Sequence, residues 1–251
     1  MASLRTLLCL FGTVTVAYAQ ETFIFPPTFG TNGFANWGAG TWPPSTAAVG
    51  VPLVPQSADP LTISLLNQLD PDRIQSTIQT LVNFGTRHTA STTTSATRGI
   101  GAARQWLLSQ MTELAQPSNG MMKASLPCYQ QPAVPDEGIP FEVELCNVQV
   151  EITGAVDPNR MYVYTGHYDS RRINISDFTN DAPGADDNAS AVAIALEMIR
   201  ILAPVVAKSP PAASIIISAV AGEEQGLFGS NFLAQTRRCY LYHIARSNLA
   251  Q

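Results

Sequence analysis

Charge is scarce in this sequence. Only 13% of its 251 residues are Asp, Glu, Lys or Arg, against 45% that are hydrophobic. That balance excludes a wholly disordered chain, which needs high charge and few apolar residues. The 14 Lys and Arg form no run, and the formal net charge is −5. A nucleic-acid or anionic-membrane partner therefore has no electrostatic footprint here. Four Cys are too few for a disulfide-dense mini-scaffold or a Cys₄ metal cluster. Acids also run out early, since no Asp or Glu follows Glu224. No internal repeat is present, and the length suits one α/β domain of moderate size.

The N-terminus carries a compartment signal. Met1–Ala19 has one basic residue, Arg5, then the apolar stretch Leu7–Ala17, and closes on Ala17-Tyr18-Ala19. Small residues at −3 and −1 read as a secretory signal peptide cut near Gln20. The stretch is too short to span ~30 Å of hydrocarbon, and no other membrane-spanning segment is expected. A secreted, extracellular protein meets oxidising conditions. Cys9 would leave with the signal. Of Cys128, Cys146 and Cys239, the first two are the disulfide candidates, with two buried thiols as the alternative. Asn174-Ile175-Ser176 is a glycosylation match in a polar loop, so a glycoprotein is expected. Asn188-Ala189-Ser190 also matches, but in a metal loop where a glycan does not fit.

Four regions follow. Residues 1–19 are the signal. Gln20–Ser57, rich in Pro, Gly, Thr and aromatics, reads as an irregular leader or propeptide-like segment, or else an ordered arm packing its aromatics on the domain. Residues 58–235 form the folded domain, and 236–251 an atypical tail. Within the domain, Asp70-Pro71-Asp72 predicts a capped helix start, and Ile74, Ile78, Leu81 and Phe84 give its apolar stripe. A second helix is expected from Ser95 to Leu114. Met122–Tyr129, Phe141–Ile152 and Met161–Thr165 read as strands, Asn188–Leu202 as a helix, Ser214–Ala221 as a buried strand and Gly226–Gln235 as a helix. The βαβ pattern over Met161–Gln235 predicts an α/β fold with a mixed, largely parallel sheet flanked by helices in a three-layer sandwich.

Three clusters each lie just beyond a predicted strand: Gly166-His167-Tyr168-Asp169-Ser170, Gly184-Ala185-Asp186-Asp187-Asn188 and Gly222-Glu223-Glu224-Gln225-Gly226. Alone, each has a plainer reading: a buried histidine, an N-cap pair, a solvated loop. Ligands in open α/β sheets bind at the carboxyl ends of strands, so the crossover should bring all three to one rim. A His and several carboxylates together suit zinc. Asp186 could hold two ions with its two oxygens. Asp169 could hydrogen-bond the second imidazole nitrogen of His167. One of Glu223 and Glu224 can ligate while the other handles a proton.

Taken in order, the three clusters closely resemble the secreted two-zinc metallo-aminopeptidase family, of the leucyl aminopeptidase type. Phe84-Gly85-Thr86-Arg87-His88, Gly101–Leu107 and Asn147-Val148 extend the resemblance to about Leu61–Gln235. The resemblance implies a zinc-peptidase fold with two zinc ions, peptide or protein N-termini as substrates, and no nucleic-acid or membrane partner. It implies that His167 ligates one zinc, Asp186 bridges both and Glu224 ligates the second. Glu223 would be the general base and Asp169 would orient His167. The family often carries a strained peptide bond after the bridging residue, here Asp186–Asp187. It also draws an Asp and a His ligand from strands further on. His243 comes too soon to be that His, so the domain is expected to be incomplete at its C-terminal end and the chain truncated. Two other functions compete. A glutaminyl cyclase-like single-zinc enzyme usually has a small hydroxyl residue after the Asp equivalent to Asp186, where this chain has Asp187. A noncatalytic binding module would keep the fold but has no need of Glu223. Carboxypeptidase or dipeptidase relatives carry an inserted domain for which there is no room after Glu224.

Overall fold

The computed structural model describes residues 57–237. The signal region, Cys9, nearly all of the Gln20–Ser57 segment, Cys239, His243 and the tail from residue 238 lie outside the described residues. A compact unit begins at Leu61. Its helices are α1 (Pro60–Leu66), α2 (Pro71–Asn83), α3 (Gly99–Ala115) and α4 (Ser190–Val206), and residues 228–237 are also helical. The strands are β1 (Met122–Ser125), β2 (Cys128–Gln131), β3 (Val143–Cys146), β4 (Val148–Ile152), β5 (Asp157–His167) and β6 (Ala213–Val220).

Local chemistry accounts for the element ends. Asp70 caps α2 as its sequence predicts, its carboxylate accepting from the Asp72 and Arg73 amides at 3.0 and 3.3 Å, with Pro71 in the first turn where no donor is needed. On α3, Ile100, Ala103, Leu107, Met111 and Ala115 recur on one face and are buried. Each of the two long predicted strands divides. The first breaks at Leu126-Pro127, the second at Asn147, and the outer pieces β2 and β3 pair as a separate antiparallel ribbon. Cys128 lies directly opposite Cys146 in that ribbon and the two are joined by a disulfide.

The main sheet has the order β1-β4-β6-β5. Helix α3 packs over β1 and β4, and α4 over β5 and β6. The helical residues 228–237 reach β4 at their far end, where Arg237 pairs with Glu151 at 2.6 Å. This is an α/β sandwich with a mixed sheet flanked by helices. The expectation of a largely parallel sheet is wrong: among the described strands β1–β4, β4–β6 and β2–β3 are antiparallel, and only β5–β6 is parallel. The reason lies in the connections. A parallel pair needs a crossover of a dozen or more residues. The short stretch from Thr153 to Val156 between β4 and β5 holds no helix, so β5 runs back opposite in direction to β4, with β6 inserted between them. Only the β5–α4–β6 passage includes a crossover helix. The span Ala185–Val206 is long and apolar enough to cross a membrane by composition. However, its residues Val192, Ala193, Ala195, Leu196 and Ile199 are buried in the domain, as in a core helix.

One side chain fastens three of these segments together. Arg87 is 0% exposed. Its Nε donates to the Tyr168 carbonyl at 2.7 Å, Nη1 to the Leu81 and Pro183 carbonyls at 2.9 and 2.8 Å, and Nη2 to the Gly184 carbonyl at 2.9 Å. Gly184 has φ +45°, and a Cβ there would meet Arg87 Nη2 at 2.9 Å and the Ser170 Cβ at 2.7 Å, so the guanidinium and the glycine define each other's space. Burial pulls the Arg87 pKa down to about 10, against the opposing pull of the Asp169 charge, which leaves it cationic at neutral pH. Replacing Arg87 with Met should strip donors from four carbonyls and remove one of the positive charges near Asp169. A loss of ~3–5 kcal/mol is expected, read as a lower urea midpoint. Arg87→Lys should recover only part, because an ammonium cannot span the fork.

Candidate metal centre

Strand β5 runs parallel to β6 through the last register pair, His167 with Val220. Both carboxyl ends therefore open on one rim, as a βαβ unit requires. Beyond β5 the backbone keeps its period-two alternation. Tyr168 and Ser170 point inward, where Tyr168 Oη donates to the Cys146 carbonyl at 2.8 Å and Ser170 Oγ to the Ala182 carbonyl at 2.7 Å. His167, Asp169 and Arg171 point the other way, toward the residues after β6.

There His167 Nε2 lies 2.9 Å from Asp187 Oδ1 and 3.7 Å from Glu223 Oε2. Its Nδ1 is 3.2 Å from the Asp169 carbonyl and 3.5 Å from Asp169 Oδ1. Asp169, fully buried, accepts the Glu224 amide on Oδ2 at 3.1 Å. Arg171 Nε donates to Glu224 Oε2 at 2.8 Å. Potential ligand atoms of His167, Asp187 and Glu224 all lie within 4.8 Å of one another.

Of the residues expected from sequence, His167, Asp169, Glu223 and Glu224 come together. Asp186 does not join the cluster, and its neighbour Asp187 occupies the place expected of it. The backbone explains the offset. The segment Ala185–Ala189 ahead of α4 is not a regular helix start, since Asp187 (φ −104°, ψ 97°) and Asn188 (φ −137°, ψ 39°) are non-helical. The extended Asp187 backbone turns that side chain, rather than Asp186, toward β5. A cis peptide falls at Asp187–Asn188, directly after the clustered aspartate. Sequence reading also passed over Arg171, whose signal was its place two residues after Asp169 in an alternating run.

The donor set, one imidazole and two carboxylates, suits zinc. Asp169 Oδ1 is buried without a hydrogen-bond partner among the described residues. It faces His167 Nδ1, where an oriented imidazole would satisfy it. Burial lowers the His167 pKa, but the close Asp169 carboxylate and the charges of Glu223 and Asp187 outweigh it and push it up to about 9. Burial raises the Glu224 pKa, as do Asp169 and Asp187, while the Arg171 hydrogen bond opposes them. A second group of potential ligands, Cys128, Glu144 and Cys146, has its sulfurs joined in the disulfide and so offers no thiolate.

Known proteins are similar to this chain in sequence and in fold. The profile of Peptidase family M28 matches residues 147–247. A protein named "Probable zinc metalloprotease" from Pyrenophora teres f. teres is 50% identical over 195 residues, 78% of this chain and 39% of the relative. Another of that name from Pyricularia oryzae is 44% identical over 216 residues, 85% of this chain and 42% of the relative. The chain thus spans about two fifths of the length of these relatives. Among solved structures, LapB from Legionella pneumophila superposes with a TM-score of 0.54 at 26% identity, covering 72% of this chain and 43% of LapB. The LapA aminopeptidase of the same organism gives 0.53 at 17% identity, over 75% of this chain and 45% of LapA, a likeness of fold.

Protonation and metal uptake should compete at His167. Its raised pKa keeps the metal-free imidazole charged at pH 7, and a ligating nitrogen must give up that proton. Zinc binding at pH 7 should release about one proton per chain from this residue. Affinity should climb with pH and level off above about 9. Calorimetry in two buffers of different ionisation enthalpy reads the proton directly.

Proposed function

We propose that the chain is an M28-type zinc metallopeptidase-like protein and carries part of the site of a secreted zinc-dependent exopeptidase that removes N-terminal residues from peptides. The observation that carries this reading is the meeting of His167, Asp187 and Glu224 within 4.8 Å, with the Glu223 carboxylate 3.7 Å from His167 Nε2.

In this proposal His167, Asp187 and Glu224 hold zinc. Asp187 takes the role first expected of Asp186, and its two oxygens allow it to serve a second ion. Zinc bound there supplies Lewis acidity, polarising a carbonyl and lowering the pKa of water. The chain's own groups do the rest. Asp169 fixes the imidazole through Nδ1, so that Nε2 faces the ligand position. Glu223 is 38% exposed on its side chain and makes no shorter ion pair among the described residues, which leaves its carboxylate available to take a proton from water. The same oxygen can then deliver that proton to the departing amine. Secretion is part of the proposal. It is supported by the signal-like Met1–Ala19 and by the Cys128–Cys146 disulfide, a bond that persists in oxidising compartments. Asn174 is exposed and remains the proposed glycan acceptor.

The test pairs metal content with turnover of an aminoacyl-anilide by the full chain. Glu223→Gln should keep wild-type zinc, because the base does not ligate, and lower kcat by about 10²–10⁴-fold. Zinc without hydrolysis in the wild-type chain would favour a noncatalytic module instead.

Asp186→Asn and Asp187→Asn separate the two aspartates. Zinc loss is expected only for Asp187→Asn, measured by elemental analysis after dialysis. Loss at Asp186 alone would return the ligand to the residue first expected.

A further inference from the structure

Arg171 stands outside every role assigned so far, yet its Nε lies 2.8 Å from Glu224 Oε2. Glu224 is the partner it contacts, and that side chain is 13% exposed while Arg171 is 39% exposed. Nη1 turns back to the Arg172 carbonyl at 3.4 Å, which ties the guanidinium to its own loop. The residue gets there by alternation. His167, Asp169 and Arg171 are successive same-side positions of one extended run, with Tyr168 and Ser170 anchored in the interior between them.

Each of the three touches the residues after β6. Asp169 fixes the Glu224 backbone by accepting its amide at 3.1 Å, and Arg171 fixes the far end of the same side chain. Glu224 is therefore clamped at both ends by one strand extension. An unclamped glutamate has three rotatable bonds to order before it can ligate, and that ordering opposes binding. A carboxylate has two oxygens, so a guanidinium on Oε2 still leaves one for a metal.

We propose that Arg171 is a positioning residue for the metal centre, holding Glu224 in its ligating conformation through Oε2 while the other oxygen faces the ion. This inference rests on the zinc-site reading above. Its opposite is also physical: a guanidinium beside a cation site repels the ion and competes for the carboxylate. The two predict opposite signs. Positioning makes removal of Arg171 weaken zinc binding, and competition makes removal strengthen it.

The experiment is a zinc titration of the metal-free full chain against a chromophoric chelator, for wild type, Arg171→Ala and Arg171→Lys, with thermal unfolding of each metal-free protein. Arg171→Ala should weaken zinc affinity about 10–100-fold, the range for loss of an outer partner of a ligand. Arg171→Lys should regain part of it with one donor. Metal-free unfolding should shift little, since Arg171 is partly exposed and solvent screens its pairing with Glu224. Unchanged or tighter zinc binding in Arg171→Ala overturns the proposal. So does a metal-free destabilisation large enough to account for the loss. If the wild-type chain binds no zinc, the site reading itself falls and takes this inference with it. If the wild type binds zinc and Arg171→Ala binds it equally, this inference alone fails.

Discussion

A buried positive charge holds the candidate site in place. The Arg87 guanidinium reaches the last turns of α2 at Leu81, the segment after β5 at Tyr168, and the approach to α4 at Pro183 and Gly184. These carbonyls sit where regular ladders end and need donors from elsewhere. A guanidinium answers several at once, because its donors radiate in a fixed plane. Its charge also has a partner. Asp169, itself buried, opposes the burial penalty on Arg87 and passes the benefit on. One oxygen takes the Glu224 amide, and the other faces His167. The acid beside the imidazole thus offsets the burial of a cation that also pins the loops. Loss of Asp169 would leave the buried Arg87 charge without the acid that offsets its burial.

Elements with strong local signals could be read from sequence, and those set by distant partners could not. The Asp70-Pro71 start, the Ile74, Ile78, Leu81 stripe and the β-branched run that became β6 needed only their own residues. The division at Asn147 had no such signal. That side chain accepts the Ala221 amide at 3.2 Å and donates to the Gly229 carbonyl at 2.8 Å. It is thus fixed by a turn over seventy residues away, whose place is unknowable before folding. Strand direction was a different kind of miss. A few residues between β4 and β5 leave no room for a crossover, and that length was in the sequence. The βαβ pattern after Met161 was extended to strands that lack its helix.

At the site, residue types were readable and the choice among adjacent acids was not. His167, Glu223 and Glu224 follow from strand ends and parallel direction. Asp186 and Asp187 are chemically identical, and only a departure from helical φ and ψ selects between them. A capped helix start predicts the first, and an extended residue before the helix presents the second. A cyclase-like enzyme was disfavoured because Asp187 follows Asp186. That reason loses its footing once Asn188 is the residue that follows the clustered aspartate. Arg87 and Arg171 were missed for a shared reason. Each acts through carbonyls or a carboxylate supplied by other segments, and no spacing rule in one stretch reveals those partners.

The corrected sheet also explains why the wrong global topology still placed the three sequence clusters near one rim. Ligands gather at carboxyl ends because parallel strands finish together, and that condition is local to a pair. Here β5 and β6 satisfy it on their own, in register to His167 and Val220. The antiparallel strands β1 and β4 deliver no side chain to the cluster. They extend the surface over which α3 packs, burying Val148, Val150 and Ile152 against Leu107 and Met111. Their direction is therefore free to differ without moving the site. The tolerance is asymmetric. Reversing β1 or β4 would leave the cluster where it is, whereas reversing β5 against β6 would put His167 and Glu224 at opposite ends of the sheet. A side-chain cluster built this way constrains two strands and one crossover helix, and leaves the remaining architecture to packing.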